Sequence, residues 1–250
     1  MLRDSGVVSI VGAGGKTTLM FRLARELSGA GQRVLTTTTT KVMTPSSDQA
    51  PFVIVEADPA EVLNKARAAL VKDRHVFAAS GPYGTQGKLS GFVPEVIDGF
   101  WGSGLFHWIL VEADGAAQRP LKAPAAHEPV IPKESGWVIA VASMEAIGRP
   151  LDDLSVFRAE IYAEITGLKE GEPITQESLA MSILHPAGLM RGSPEGALRC
   201  LFLNKAEGPE RLSAARQIVG FLSDGKGNRP SRVVIGTAMG TPPVVGYHDL

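Results

Sequence analysis

A single cysteine, Cys200, stands in the 250-residue chain, so no internal disulfide can form and no Cys-x-x-Cys metal or redox pair exists. Cys200 lies in the apolar run 198–203, where a buried core thiol is expected rather than a nucleophile. The five histidines (His75, His107, His127, His185 and His248) are scattered, with no His-x-His or His-x-x-x-His pair to signal a transition-metal site. An excess of charge of one sign is also missing: the net charge is −1, which offers no electrostatic footprint for DNA or RNA. No apolar run is long enough to span a bilayer, and Met1 opens on Leu2-Arg3-Asp4 without an apolar signal segment. A cytoplasmic chain with neither a membrane nor a nucleic-acid partner is therefore expected. Hydrophobic residues make up 44% of the chain, enough for a real core in one domain over residues 1–250.

Apolar runs at residues 7–11, 33–37, 52–56, 75–79, 108–112, 137–142, 199–203 and 233–237 read as strands. Between them, helical patterns cover 17–28, 59–71, 176–184 and 210–222. Several runs are continuous Val/Ile/Leu without alternation, which suits strands buried on both faces of a parallel sheet. Residues 80–104 carry Gly81, Gly84, Gly87, Gly91, Gly99, Gly102 and Gly104, and are expected to form a long loop. Residues 143–196 read as a largely helical insertion or lid.

Gly12-Ala13-Gly14-Gly15-Lys16-Thr17-Thr18 follows the first strand and opens the first helix. Glycines let backbone N–H groups converge on an anion, and the helix adds its positive end. Lys16 would reach the β- and γ-phosphates, and the Thr17 hydroxyl would bind Mg²⁺. A full P-loop has another glycine five positions before Gly15, where this chain has Ile10. The pattern predicts an α/β fold, a mostly parallel sheet flanked by helices and P-loop NTPase-like, binding a nucleoside triphosphate at the carboxyl ends of its strands.

The run Trp108-Ile109-Leu110-Val111-Glu112-Ala113-Asp114-Gly115 is a hydrophobic strand ending in carboxylates and a glycine. Phosphoryl-transfer sites place a carboxylate at such a strand end to hold Mg²⁺ or its waters, so Glu112 or Asp114 is a metal-ligand and catalytic candidate beside Lys16. Gly115 would let the backbone approach the terminal phosphate. Asn204-Lys205-Ala206-Glu207, after another apolar run, is similar to the Asn-Lys-x-Asp base-recognition element of GTP-binding proteins, with Glu207 one methylene too long. GTP is favoured slightly over ATP, and both stay open. The tract Thr36–Thr40 followed by Lys41 runs past the second strand, so Thr38, Thr39 and Lys41 are candidate switch residues as well as strand formers. Arg119, Lys122, His127 and Glu128 form a polar cluster after the acidic strand; Arg119 and Lys122, with Lys88 and Arg158, are candidates for holding an anionic substrate or a solvated loop.

Beyond these pieces, the chain resembles the selenium-dependent hydroxylase accessory proteins over nearly its whole length. The matching runs are Val11 to Thr18, Leu35 to Lys41, Gly87-Lys88-Leu89-Ser90-Gly91 and Val111 to Gly115. They continue in Arg119-Pro120-Leu121-Lys122, Glu128-Pro129-Val130-Ile131-Pro132, Gly148-Arg149-Pro150-Leu151, Arg158, and His185-Pro186-x-Gly188-Leu189. The resemblance implies a role in maturing selenium-containing molybdenum hydroxylases, with a client molybdenum hydroxylase or its cofactor as partner; a homodimer is left open. Three activities compete: an NTP-hydrolysing maturation factor, an ATP-dependent small-molecule kinase or ligase, and a non-hydrolysing nucleotide-binding regulator.

Overall fold

All eight apolar runs read as strands lie in one nine-stranded sheet of the computed structural model, which describes residues 5–85 and 87–250. Residues 1–4, read above for a leader, and residue 86 of the Gly-rich stretch lie outside the described residues. In chain order the elements begin with β1 (Gly6–Gly12), α1 (Lys16–Gly29), β2 (Val34–Thr38), β3 (Lys41–Met43), β4 (Val53–Val55), α2 (Pro59–Ala69) and β5 (His75–Ala79). Next come β6 (Gly81–Tyr83), β7 (Lys88–Ser90), α3 (Pro94–Gly102), β8 (Trp108–Glu112), β9 (Leu121–Lys122) and β10 (Ser135–Ser143). A 3-10 turn (Met144–Ala146), β11 (Val156–Phe157), α4 (Ala159–Thr166), α5 (Gln176–Leu184), β12 (Leu198–Asn204), α6 (Pro209–Asp224), β13 (Arg232–Gly236) and β14 (Val244–Asp249) complete it.

The sheet order is β14-β13-β12-β10-β1-β8-β2-β5-β4. The run β1, β8, β2, β5, β4 is parallel, as is the pair β12 and β13; β14 joins β13 antiparallel. Every residue of β2, β5 and β8 is buried, as continuous apolar runs require of strands covered on both faces. The chain divides into two compact units. The first holds the strand residues up to Ile10, Thr17–Gly115 and Val130–Trp137, and its core includes Phe21 packed against His75 and Phe77. The second holds Val11–Lys16, Ala116–Pro129 and Val138–Leu250, with Leu179, Ile183, Ile218 and Leu222 fully buried. The 143–196 stretch, expected to be largely helical, carries only the 3-10 turn, α4 and α5 as helical elements; turns and loops, with β11 and the last residue of β10, make up most of it.

The long loop expected over 80–104 is not found. Two strands and α3 occupy it, and β3, β7 and β6 form a separate antiparallel sheet. Pro94 sits in the first turn of α3, where a missing N–H costs nothing, and Ile97 and Phe100 bury one face. Phe92 meets Phe100 edge-on at 5.2 Å. That burial outweighs the roughly 1 kcal/mol each that Gly99 and Gly102 take from helix propensity. Strand β14 was not expected either, because it is an exposed edge strand without an apolar run.

Candidate functional site

In the second unit, the Gly-rich turn leaves β1 beside the end of β10, where the Ala13 amide donates to the Val141 carbonyl at 2.9 Å. Gly14 and Gly15 have φ of +77° and +130°, conformations that side chains rarely adopt. A Cβ on Gly14 would also overlap Ser143 and the Pro120 carbonyl, and one on Gly15 would overlap the Asn204 amide. Both positions therefore require glycine for shape as well as for space. Lys16 is 5% exposed and its Nζ donates to the Gly12 carbonyl at 2.8 Å, folding the cation back along the loop. Ala13 is fully buried, whereas Thr18, one step into the helix, is exposed.

In the first unit, the Thr17 hydroxyl donates to Glu112 Oε2 at 2.7 Å. Glu112 is the last residue of β8 and is 7% exposed; Asp114, two residues on, is buried as well. The threonine tract is anchored around this strand end. Thr36 is bonded to His75 Nε2 at 2.9 Å, Thr37 donates to the Ala78 carbonyl, Thr38 to the Glu112 carbonyl and Thr39 to the Val130 carbonyl. Thr38 is a buried strand residue rather than part of a loop, while Gly115 approaches Thr40. Lys41 and Lys88 are exposed on the small β3-β7-β6 sheet. Lys41 donates to the Tyr83 hydroxyl at 2.7 Å and, by that bond, holds the phenol below its ordinary pKa.

Back in the second unit, Asn204 ends β12 and is 2% exposed. Its Nδ2 donates to the Gly14 carbonyl at 2.7 Å, and its Oδ1 accepts from the Ala238 amide at 2.9 Å. Lys205, at φ +58°, pairs with Glu145 at 2.6 Å, while Glu207 is exposed with Arg211 at 3.7 Å. Lys122 and Arg158 both meet Glu128, each at 2.7 Å, and the Lys122 side chain is fully buried. Burial pushes the Glu128 carboxyl up, but the hydrogen bonds from Arg158 and Lys122 outweigh it and leave the group below its ordinary value. His127 is exposed and half-buried Arg119 follows a turn, so the polar cluster resolves into a Lys122–Glu128–Arg158 ion triad. Cys200 is half-buried, with burial pushing its thiol up to about 11, which makes it a poor nucleophile. Sequence reasoning passed over Glu145, Ser143 and Tyr83. Only Ser143 carried a local signal: a serine at a strand end that caps the following turn by accepting from the Glu145 amide.

Comparison with known proteins places the chain. The YqeC protein family model matches residues 8–160. A YqeC protein of Escherichia coli (strain K12) is 38% identical over 213 residues, covering 85% of this chain and 81% of that protein. Among solved structures, chloroplast FtsY from Physcomitrella patens aligns over 98% of this chain at 14% identity and a TM-score of 0.44, and this chain spans 62% of its length. The MinC:MinD cell division complex from Aquifex aeolicus aligns over 94% of this chain and 82% of that chain, at 11% identity and a TM-score of 0.46. By the family match and the close relative together, the chain belongs to the YqeC family.

Proposed function

We propose that this chain binds a Mg²⁺–nucleoside triphosphate, with the loop from Gly12 to Thr18 taking the phosphates, and hydrolyses it. The observation that carries the reading is the Thr17–Glu112 hydrogen bond: the hydroxyl that follows the phosphate-loop lysine is bonded to the carboxylate that ends a neighbouring parallel strand. The donors fit the metal, since Mg²⁺ takes hard oxygen ligands, and a hydroxyl and a carboxylate supply them. Among the described residues no cluster of three or more His, Cys, Asp or Glu side chains could hold a metal, so Mg²⁺ would take its remaining ligands from phosphate and water. When bound, the ion would offset the negative charge that develops during phosphoryl transfer. Lys16 would exchange its bond to the Gly12 carbonyl for the phosphates, and Asp114, buried just past the strand, is the second carboxylate candidate. Lys205 and Glu207, just past the end of β12, are the candidate base-side residues.

The biological setting follows from the sequence resemblance: an accessory protein for selenium-dependent molybdenum hydroxylases, whose nucleotide cycle would govern its grip on a client enzyme or its cofactor. The test is calorimetry with Mg²⁺ and GTP or ATP on the chain and its Lys16→Ala variant, followed by turnover with and without a hydroxylase client. Binding should fall about a hundredfold or more in the variant, as expected when charge-assisted contacts worth about 3 kcal/mol are lost. Its thermal midpoint should stay within a few degrees. Unchanged affinity would remove the phosphate-loop assignment.

A further inference from the structure

We infer that Asn204 is a positioning residue for the phosphate loop rather than a reader of the base: it fixes the orientation of the Gly14–Gly15 peptide. The inference rests on the triphosphate-binding reading above and assigns the residue a different task within it. Both ends of the Asn204 amide are used within the second unit, Nδ2 toward the Gly14 carbonyl and Oδ1 from the Ala238 amide. The assignment of oxygen and nitrogen is fixed by chemistry, because a carbonyl can only accept and a backbone amide can only donate. At 2% exposure, turning the side chain toward a base would break both of these hydrogen bonds. That loss works against a base-reading role.

The tether has a directional consequence. A trans peptide sets its C=O and the following N–H in opposite directions. With the Gly14 carbonyl held on Asn204, the Gly15 N–H is turned to the other side of the loop, away from Asn204. Donors on that side are what an anion in a glycine-rich turn requires. Gly15 has φ of +130° and its backbone lies directly against the Asn204 amide, so a side chain on Gly15 would displace the tether. Asn204 also links the loop to Ala238, two residues past β13, so two parallel strand ends hold the turn in shape before any ligand arrives. Such preorganisation acts on the phosphates and is indifferent to the base.

The test measures Mg²⁺–GTP, Mg²⁺–ATP and inorganic tripolyphosphate, which has no base, by calorimetry on the unaltered chain, Asn204→Ala and Asn204→Asp, with thermal midpoints alongside. All three ligands should weaken by the same factor in Asn204→Ala, about tenfold, the loss expected for one positioned hydrogen bond. The GTP/ATP ratio should not move. Asn204→Asp keeps an acceptor for the Ala238 amide but cannot donate to Gly14 when ionised, so it should lose at least as much; it also serves if the alanine variant fails to fold. Tripolyphosphate binding unchanged while nucleotides weaken, a loss confined to GTP, or full affinity in Asn204→Asp would each overturn the inference. An unaltered chain that binds none of the three would instead remove the phosphate-loop reading itself.

Discussion

Glu112 accepts from Thr17 although the two are 95 positions apart, and the bond is short because both are fixed, one in the first turn of α1 and the other at the end of β8. A carboxylate there needs its charge more than its shape if it organises a cation. Glu112→Gln keeps the size and an acceptor for Thr17, so nucleotide affinity should change by less than about tenfold. Mg²⁺-dependent turnover should fall about a hundredfold or more, and steady-state kinetics at several Mg²⁺ concentrations would measure both. Asp114→Asn is the comparison: if it alone stops turnover, the metal role belongs to Asp114 and the Thr17 bond is a structural cap. Glu207, exposed beside Arg211, has little to hold it against a guanine edge, so any GTP preference should be modest.

Among the elements, the parallel pair β9 and β11 is only two residues long on each side, too short to hold by backbone bonds alone. The Lys122–Glu128–Arg158 triad fastens it, with the Arg158 guanidinium stacked 4.4 Å from the Phe157 ring centre. Arg158 adopts φ +65°, a conformation costing on the order of 1 kcal/mol for a side-chain residue, which its contacts with Glu128 and Phe157 offset. Removing the carboxylate leaves two cations close together, one of them buried. Glu128→Ala should therefore destabilise the chain by about 3 kcal/mol in urea unfolding at pH 7, whereas the paired change Lys122→Met with Glu128→Leu should cost clearly less. Equal losses in the two would mean that the triad is solvated and contributes little. The Gly14 turn lies against the Pro120 carbonyl, two residues before this clasp, so loosening it should also weaken triphosphate binding.

For the whole molecule, acid sensitivity should begin well above the carboxylate range. Burial pulls His75 down to about 4, and His107 is lowered too, mainly by burial and then by Arg33 and Arg74. The unfolded chain takes these protons near pH 6.5, while the folded chain takes the His75 proton only near pH 4 and the His107 proton below its ordinary value. Stability is thus full above about pH 6.5, declines as the pH falls toward 4, and changes little further from His75 below that. His75 accounts for about 3 kcal/mol of that decline. Lowered carboxylates such as Glu128 act in a separate window, losing their stabilising effect only below about pH 4.5. Urea midpoints at pH 7, 5.5 and 4.5 should fall steadily, and His75→Gln should flatten the slope; parallel slopes for the two proteins would refute the assignment. No helix among the described residues is long and apolar enough to cross a membrane.

The sequence by itself determined eight strands of the large sheet and the glycine-rich loop motif, because these depend on residues close together in the chain. Val7 to Val11 form a buried run, Gly14 and Gly15 permit the turn, and Lys16 and Thr17 follow at the helix start. Glu112 was legible for the same reason, as a charge ending an apolar strand. Tertiary structure alone decided how those pieces are used. Helix α3 forms against its glycines because Ile97 and Phe100 find a core to enter, a gain that no local pattern encodes. Strand β14 exists because β13 offers it an edge. Asn204, which reads as a base-recognition residue beside Lys205, spends both ends of its amide on Gly14 and Ala238, 190 and 34 positions away. Spacing in the sequence names the residue types at a strand end, but which hydrogen bonds a buried amide makes is settled only by the backbone groups that the fold brings to it.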